Sequence, residues 1–334
     1  MATTVAILGA GSWGAALALH LARLGHDVRL WARSLERAEA LAAAGEHASH
    51  PGVAFPVNLR PTSNLRETVH GAAAVLLACP SHAIRGLTEQ VRPLLEHRPL
   101  LVSTAKGVEQ DTHLTMSAVI EQVVGPAHRD RVVVLSGPSF AREVALGMPT
   151  AVTAAARDIE VAGEAQQLFT GPTFRVYTAT DMVGVEIGGA VKNVIAVAAG
   201  VSDGLGFGHN TRAALITRGL TETSRLATQL GADRETLYGL SGLGDLVLTC
   251  TGDLSRNRTV GLRLGRGERL DDIIASMKEV AEGVRNTRSV RDLAATAGVE
   301  MPITEQMYLM LYEGKDARLA VVDLMTRRPK AERD

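Results

Sequence analysis

Lysine is rare in this chain, and one lysine lies inside an apolar segment where its charge needs an explanation. The 334 residues include 35 lysines and arginines, of which five are lysines, at positions 106, 192, 278, 315 and 330. Lys192 and Asn193 lie in the apolar run Val185–Ile195, which on a helix turns an apolar stripe toward the core. Gly188 and Gly189 precede Lys192 by four and three residues and flank it on the helix surface. Because these glycines have no side chains, we predict that a small ligand approaches Lys192 and Asn193 over this part of the helix surface.

A lysine in such a place has a specific chemical use. Its ammonium group can polarise a substrate carbonyl and donate a proton as a hydride arrives, and in the reverse direction it accepts the alcohol proton. Burial and neighbouring cations would lower the pKa of Lys192 toward the range that this exchange needs. The alternative is a lysine whose stem covers the core while its head reaches water. This segment alone leaves both interpretations open.

Three further segments carry polar groups of matching chemistry. Lys106 follows an aliphatic run, which puts a second rare lysine at the carboxyl edge of a predicted sheet. Asp245 lies between glycines and an apolar run, a placement suited to orienting a lysine. Ser255–Asn257 begins a predicted helix, where a hydroxyl, a guanidinium and an amide meet the positive helix end and form a small anion site. Each segment alone is also typical of a cap or a solvated surface, so the prediction of a reaction centre depends on their combination.

A glycine motif near the N-terminus predicts a dinucleotide site. The run Gly9-Ala10-Gly11-Ser12-Trp13-Gly14 follows an aliphatic strand and opens an alanine-rich helix. Gly9 permits a tight turn, Gly11 lets the backbone approach a pyrophosphate, and Gly14 allows close packing of helix and strand. The uncapped N–H groups of the helix start add positive potential.

The second strand ends in a residue that bears on cofactor choice. An enzyme strict for NAD places an acidic residue there to bind the ribose hydroxyls. This chain has Arg33, whose guanidinium can pair with a 2′-phosphate or lie over the adenine. NADP(H) is therefore favoured and NAD(H) stays open, and the alternative is a solvated arginine at a strand end.

The elements that must position these residues differ between the two halves of the chain. Residues 5–155 alternate aliphatic runs with helical patterns, which predicts a doubly wound parallel sheet with its ligand sites at the carboxyl ends of the strands. The predicted strands are Val5–Leu8, Val28–Trp31, Ala74–Ala78, Leu100–Thr104, Val132–Leu135 and Ala151–Ala154. We therefore expect an α/β Rossmann domain over residues 1–180.

The second half has the helical period throughout, so we expect an all-α domain over residues 181–330 that carries substrate and catalytic groups. Asp181 is the predicted cap of its first helix. The predicted helices are Asp181–Val201, Asn210–Leu230, Arg234–Tyr238, Arg256–Leu264, Leu270–Ser276, Thr287–Ala297 and Thr304–Tyr312.

Composition excludes several other classes of protein. A net charge of −1 argues against a nucleic-acid-binding face, which needs clustered cations. The two cysteines, Cys79 and Cys250, lie in apolar runs, which predicts buried free thiols and a reducing, cytoplasmic compartment. Residues 1–8 lack the basic start of a signal peptide, and charged or polar residues interrupt the longest apolar stretch, so no membrane span is predicted. We predict no metal site.

Seven stretches together resemble one enzyme family, the bacterial NAD(P)-dependent sn-glycerol-3-phosphate dehydrogenases. They are GAGSWGAALA at Gly9, STAKGVE at Ser103, LSGPSFAREV at Leu135, VKNVIAVAAG at Val191, GLGDLVLTC at Gly242, SRNR at Ser255 and VAEGVRNT at Val280. The resemblance covers nearly the whole chain. It implies reversible reduction of dihydroxyacetone phosphate to sn-glycerol 3-phosphate for phospholipid synthesis, a helical domain like that of 6-phosphogluconate dehydrogenase, and a homodimer.

The resemblance also implies roles for residues at matching positions. Lys192 would donate and accept the proton, Asp245 would orient the Lys192 side chain, and Lys106 would complete the catalytic set. The implied contacts of the dinucleotide are Ser12, Trp13, Arg33, Lys106, Ala141, Arg256, Val280 and Glu282. The implied contacts of the substrate are Lys106, Gly137, Ser139, Lys192, Asp245, Ser255, Arg256 and Asn257, with Arg256 and Asn257 gripping the phosphate.

One loop departs from the family, and two other functions stay open. The family tends to have an aromatic-Leu-Pro-Gly stretch where this chain reads Ser49-His50-Pro51-Gly52, which favours His50 as a loop residue rather than a catalytic base. A related reductase of a hydroxy or keto acid, such as ketopantoate or hydroxyisobutyrate reductase, could use Ser255–Asn257 for a carboxylate. A dinucleotide-sensing protein without turnover is the other alternative, and the set Lys106, Lys192 and Asp245 counts against it.

Overall fold

The structure, a computed structural model, describes residues 2–277, 281–329 and 331–332. The N-terminal half is built on an eight-stranded sheet with the order β3-β2-β1-β4-β5-β6-β7-β8. The strands are β1 (Thr4–Leu8), β2 (Asp27–Trp31), β3 (Leu59–Thr62), β4 (Ala74–Leu77), β5 (Leu100–Ser103), β6 (Val132–Ser136), β7 (Thr150–Ala156) and β8 (Phe174–Ala179). The central strands are aliphatic and buried on both faces, as a sheet covered by helices on each side requires.

The α-helices of the described residues lie on both faces of this sheet and make up the C-terminal half. They are α1 (Ser12–Arg23), α2 (Leu35–Ala44), α3 (Leu65–Val69), α4 (Ile84–Val91), α5 (Met116–Val124), α6 (Ala141–Ala145), α7 (Ile159–Phe169), α8 (Met182–Gly204), α9 (His209–Gln229), α10 (Asp245–Thr251), α11 (Arg256–Gly265), α12 (Leu270–Ser276), α13 (Glu282–Thr296), α14 (Pro302–Tyr312) and α15 (Ala317–Met325). The predicted combination of a Rossmann sheet with an all-α C-terminal half is confirmed.

The sheet differs from the prediction in three respects. The edge strand β3 was missed because only Leu59 is buried and Pro61 interrupts any apolar pattern. The other edge strand, β8, was missed although Phe174 and Val176 are buried between exposed neighbours, which is the alternation of a half-buried strand. The expectation of a wholly parallel sheet is wrong at β7, which runs antiparallel to β6. An aliphatic run has the same composition in either direction, so strand polarity was not readable from it.

The helical half follows the prediction more closely. Asp181 caps α8 as expected, its carboxylate accepting from Gly184 N at 2.8 Å. The predicted helix Arg234–Tyr238 is a 3₁₀ turn. The helices α10 and α15 were missing from the prediction, because short apolar runs fit a strand or a helix equally well.

Helix α8 is the core of the C-terminal half. It is long and apolar enough to cross a membrane, with a mean hydropathy of 1.5, but 94% of that stretch is buried inside the protein. Its neighbours include α9, α10, α11 and α13, which cover it on several sides. This burial takes Lys192 into the interior, because every residue from Gly184 to Ser202 on α8 is buried.

Helices α8 and α11 cross with their backbones in close contact. Four glycines line the crossing, spaced four residues apart on each helix: Gly200, Gly204, Gly261 and Gly265. A Cβ atom at Gly261 would lie 1.9 Å from the carbonyl oxygen of Val197, and one at Gly200 would lie 2.0 Å from that of Arg258. Small residues permit such an approach, as in the small-xxx-small helix pairs of membrane proteins. The crossing therefore fixes the helix that carries Lys192 against the helix that begins at Arg256.

We expect Gly261→Ala to destabilise the protein, because the added methyl group meets backbone that cannot rotate away. Overpacking of this kind costs about 1–3 kcal/mol of unfolding free energy. The control is Gly163→Ala in α7, where the new Cβ meets no atom of the described residues within 4 Å beyond its chain neighbours and the backbone of its own helix. There the higher helix propensity of alanine stabilises the protein by up to about 1 kcal/mol. Urea unfolding of both variants measures the difference. Equal unfolding free energies for the two would contradict the close crossing.

Candidate active site

Two lysines share one buried carboxylate where the two halves of the chain meet. Lys106 Nζ donates to Asp245 Oδ2 at 2.6 Å, and Lys192 Nζ donates to Asp245 Oδ1 at 2.7 Å. The Asp245 side chain is 1% exposed, that of Lys192 9% and that of Lys106 16%. Three residues far apart in the sequence and predicted as a catalytic set therefore lie in one cluster.

Each member of the cluster is positioned by a different element. Lys106 follows β5, and its ammonium group also donates to Gly137 O, after β6, at 3.1 Å. Lys192 lies in the middle of α8. Asp245 begins α10 directly after a π-helical turn, Leu240–Gly244. A carboxylate in the first turn of a helix is stabilised by the helix dipole.

The pKa values of Asp245 and Lys192 both lie below their usual ranges, for different reasons. Burial would raise the pKa of Asp245, but the attraction of Lys106 and Lys192 outweighs it and the pKa lies below its usual range. Burial and the repulsion of Lys106 lower the pKa of Lys192 to about 8, and Asp245 limits the fall. Lys192 is thus an acid and base with a pKa near neutrality, as proton transfer requires.

Thr249, which was not among the predicted site residues, completes the surroundings of Lys192. Its hydroxyl oxygen accepts from Lys192 Nζ at 2.9 Å and its hydroxyl donates to the carbonyl oxygen of Asp245 at 2.6 Å. Thr249 lies four residues after Asp245, one helical turn away, within the stretch GLGDLVLTC. The signal was therefore the spacing from Asp245, which becomes informative only once α10 is known to be a helix.

The predicted ligand approach over Gly188 and Gly189 is wrong. A Cβ at Gly188 would lie 2.7 Å from Ser241 O, and one at Gly189 would lie 3.0 Å from Ser136 Oγ and 3.5 Å from the Lys106 side chain. The two glycines make room for protein groups, among them the Lys106 side chain that reaches Asp245.

The glycine motif has the shape that a dinucleotide pyrophosphate needs. Gly9 has a φ of +130°, and Gly14 packs so closely that its Cβ would lie 1.9 Å from Gly9 O. At Gly11, by contrast, no atom of the described residues other than Gly11 and its chain neighbours lies within 4 Å of the Cβ position. Helix α1 begins at Ser12 without a side-chain cap from the part of the chain described. The open backbone and uncapped N–H groups fit a bound phosphate.

Four of the other predicted cofactor residues lie around the same edge of the sheet. Ser12 and Trp13 begin α1, and Ala141 begins α6, which packs against α1. Arg33 is exposed two residues after β2, whose Trp31 carbonyl accepts from Gly9 N at 3.1 Å.

The loop that departs from the family pattern contacts the glycine motif. His50 is 1% exposed, and its Nε2 lies 2.7 Å from Ser12 O. His47 is 3% exposed, and its Nε2 lies 3.3 Å from Ala10 O. Both histidines therefore bind backbone carbonyls of the motif, in agreement with His50 being a loop residue.

The predicted substrate residues after β6 surround the Lys106 ammonium. Gly137 has a φ of +145°, and a Cβ there would lie 2.9 Å from Val152 Cα on β7. Its carbonyl oxygen accepts from Lys106 Nζ and, at 3.0 Å, from Ser139 Oγ. Ser139 is thus held next to Lys106 by a shared acceptor.

The start of α11 has the predicted cap, but two of its polar groups bind within the protein. Ser255 Oγ accepts from Arg258 N at 3.2 Å. Asn257 Nδ2 donates to Asn193 Oδ1 at 2.8 Å, and Asn257 Oδ1 accepts from Gly283 N at 2.9 Å. Arg256 is exposed at this helix start.

Glu282 connects these groups electrostatically. Burial raises its pKa, and the opposing influences are the hydrogen bond from Ser81 N and the charges of Arg256, Lys192 and Lys106. Arg256 therefore belongs to the same electrostatic neighbourhood as the two lysines. Val280, predicted beside Glu282 as a cofactor contact, lies outside the described residues.

Both cysteines are free thiols. Cys250 is buried as predicted, whereas Cys79 is only partly buried, which corrects the prediction for that residue. Burial raises the pKa of each to about 12. Within residues 2–277, 281–329 and 331–332 no group of three or more His, Cys, Asp or Glu side chains could hold a metal ion.

A Rossmann sheet with an open glycine motif, joined to a helical half with a buried lysine of lowered pKa, defines a nicotinamide-dependent oxidoreductase. Family models match nearly the whole chain: the N-terminus of NAD-dependent glycerol-3-phosphate dehydrogenase matches residues 4–162 and its C-terminus matches residues 181–322. The chain belongs to this family.

Individual relatives agree with the family models. Glycerol-3-phosphate dehydrogenase [NAD(P)+] of Geobacter metallireducens is 55% identical over 334 residues and 100% of both chains. The crystal structure of glycerol-3-phosphate dehydrogenase from Coxiella burnetii matches with a TM-score of 0.93 and 41% identity, over 98% of this chain and 99% of that one. A ketopantoate reductase from Ralstonia eutropha has the same fold, with a TM-score of 0.61 and 18% identity, over 96% and 99% of the two chains.

We expect Asp245→Asn to lower the pKa of Lys192 further, because the attraction is lost while the repulsion of Lys106 stays. A charge-assisted hydrogen bond is worth about 1.5–3 kcal/mol, which corresponds to roughly one to two pH units. The pH above which ketone reduction declines should fall by that amount. The matched control is Asp130→Asn, a surface carboxylate paired with Arg98, which should leave the profile in place. If the pH dependence of ketone reduction were unchanged in Asp245→Asn, Asp245 would have no influence on the pKa of Lys192.

Proposed function

We propose that this chain catalyses reversible hydride transfer between NAD(P)H and dihydroxyacetone phosphate, giving sn-glycerol 3-phosphate for glycerophospholipid synthesis. The observation that carries this proposal is the carboxylate of Asp245 shared by Lys106 and Lys192. It puts a proton donor with a pKa near neutrality at the junction of a dinucleotide fold and a helical half. Membership of the glycerol-3-phosphate dehydrogenase family supports the choice of substrate.

In this proposal the nicotinamide supplies or takes up the hydride, and the protein manages the proton and the charges. Protonated Lys192 donates to the carbonyl oxygen of the ketone as negative charge develops on it, and neutral Lys192 accepts the proton of the alcohol. Asp245 and Thr249 hold the Lys192 ammonium in position. Burial keeps the pKa of Lys192 low, and Lys106 lowers it further by repulsion and adds positive charge near the developing oxyanion.

The phosphate of the substrate is assigned to the start of α11. Arg256 is the exposed cation there, and it lies in the electrostatic neighbourhood of the lysines. The N–H groups of the first turn of α11 add positive potential. Asn257 and Asn193, which bind each other, support this helix start against α8, and each amide keeps a further hydrogen for the substrate. Ser139, which shares the Gly137 carbonyl oxygen with Lys106, is a further polar group assigned to the substrate.

Two further assignments belong to the same proposal. The division into a dinucleotide-binding domain (residues 1–180) and a substrate domain (residues 181–330) agrees with the end of β8 at Ala179 and the start of α8 at Met182. A homodimer is the expected form, as the resemblance to the family implies, and a cytoplasmic location is expected from the two free thiols.

An assay with both cofactors tests the function directly. Purified protein mixed with dihydroxyacetone phosphate should oxidise NADPH or NADH, followed by the absorbance of the reduced cofactor. Ketopantoate in place of dihydroxyacetone phosphate tests the related reductase. Turnover with ketopantoate but not with dihydroxyacetone phosphate would show that the protein is the related reductase. Cofactor binding without turnover of either substrate would favour a dinucleotide-sensing protein.

We expect Lys192→Arg to fold and bind NADPH nearly normally while kcat falls by about 10²–10⁴-fold, the usual contribution of general acid/base catalysis. A guanidinium keeps the positive charge but does not exchange its proton near neutrality. In the wild type, ketone reduction should decline as pH rises through about 8, and alcohol oxidation should increase over the same range. The measurements are kcat against pH and NADPH affinity. If Lys192→Arg kept near-normal turnover and an unaltered dependence of kcat on pH, another group would have to transfer the proton.

We expect Arg33→Asp to weaken NADPH far more than NADH, because a contact with the 2′-phosphate becomes a repulsion. Loss of one charge-assisted bond is worth about 1.5–3 kcal/mol, or roughly ten- to more than a hundredfold in dissociation constant. Fluorescence titration with both cofactors measures this ratio. The control is Arg175→Asp, an exposed residue on β8 at the opposite edge of the sheet. An NADPH affinity equal to the wild type in Arg33→Asp would remove Arg33 from the cofactor site.

A further inference from the structure

The backbone of Lys106 is held in place by a side chain from the other half of the chain. Asn286, on α13, is 1% exposed. Its Nδ2 donates to Lys106 O at 2.9 Å and to Ala190 O at 3.3 Å. Both hydrogens of this amide group are therefore used, one on the loop after β5 and one on α8, half a turn before Lys192.

The loop around Lys106 is packed too tightly to take other positions easily. A Cβ at Gly107 would lie 2.9 Å from Asn286 Oδ1 and 2.7 Å from both Ser81 Cβ and Ser81 Oγ. Gly107 thus passes between the loop after β4 and the amide of Asn286. The absence of a side chain at residue 107 is what lets Asn286 reach the carbonyl of the preceding residue.

The start of α13 also contacts the other elements of the site. Gly283 N donates to Asn257 Oδ1, and Glu282 accepts from Ser81 N at 3.3 Å. These contacts join α13 to α11 and to the loop after β4. Asn286 adds the contact to the main chain of a residue in the Lys106–Asp245–Lys192 cluster.

We propose that Asn286 is a positioning residue that holds the Lys106 backbone against α8 and so keeps the Lys106 ammonium on Asp245. This proposal rests on the proposed function of that cluster. Asn286 acts through Lys106, and its amide group is committed to two carbonyl oxygens of the protein.

Loss of this contact has a directional consequence for Lys192. Within the described residues, the ionisable groups that act on Lys192 are Asp245 and Cys250 on α10, Lys106 after β5 and Glu282 at the start of α13. If Lys106 moves away, its repulsion decreases and Asp245 pairs with Lys192 alone. Both changes stabilise the protonated form, so the pKa of Lys192 must rise.

The test compares Asn286→Ala and the nearly isosteric Asn286→Leu with a matched pair at Asn58. Asn58 Nδ2 also donates to two backbone carbonyls, Ala22 O at 2.8 Å and His26 O at 2.7 Å, in the sheet half of the chain. Asn58→Ala and Asn58→Leu therefore remove the same two bonds without touching the lysines. Any general loss of stability should be similar in both pairs.

Lysine titration provides a readout that needs no substrate. With 13Cε-labelled lysine only five side chains give signals, and Lys192→Arg and Lys106→Arg assign the two of interest. Both Asn286 variants should raise the midpoint of the Lys192 signal by about one pH unit or more and move the decline of ketone reduction upward equally, with the Asn58 variants unchanged. A Lys192 midpoint unchanged in the Asn286 variants would overturn the proposal. An upward shift of the midpoint in a protein without turnover on dihydroxyacetone phosphate would keep the positioning role and reject the proposed function.

Discussion

The structure depends on one buried carboxylate that two lysines share. Asp245 and Lys192 come from the helical half, whereas Lys106 comes from the sheet half, so the ion cluster also joins the two halves of the chain. Buried ions depend strongly on each other, because removing one partner leaves a charge without compensation. Two ammonium groups on one carboxylate leave an excess of positive charge. Burial lowers the pKa of Lys192 to about 8, and the repulsion of Lys106 adds to this effect, which gives the protein a proton donor near neutrality.

Close backbone packing puts the three charges within bonding distance. Gly188 and Gly189 let α8 approach the turn before Asp245 and the side chain of Lys106. The glycines of the α8–α11 crossing fix the helix start at Arg256 relative to Lys192. In each place a side chain would separate elements whose polar groups must meet. At the site, glycine therefore has two uses: open space at Gly11 for a ligand, and close contact between protein groups at Gly188 and Gly189.

Much of the fold and the identity of the site residues were readable from local sequence. Aliphatic runs, helical periods and the caps at Asp181 and Ser255 depend on neighbours a few residues away, and they predicted six strands and the main helices. The rarity of lysine singled out Lys106 and Lys192 before any geometry was known. Local patterns were insufficient for β3, an edge strand interrupted by proline, and for the direction of β7, which composition does not encode.

The sequence by itself thus determined six of the eight strands, most helices of the C-terminal half, the cofactor motif and the types of reactive group. Only the tertiary structure decided which side chains are hydrogen-bond partners. Asp245 accepts from both lysines and Thr249 accepts from Lys192. Asn257 binds Asn193, and Asn286 binds the backbone of Lys106. The physical reason is separation along the chain. Hydrogen bonds act over about 3 Å, and these partners are 53 to 180 residues apart in sequence, so their distances are set by helix crossings and sheet order rather than by local patterns.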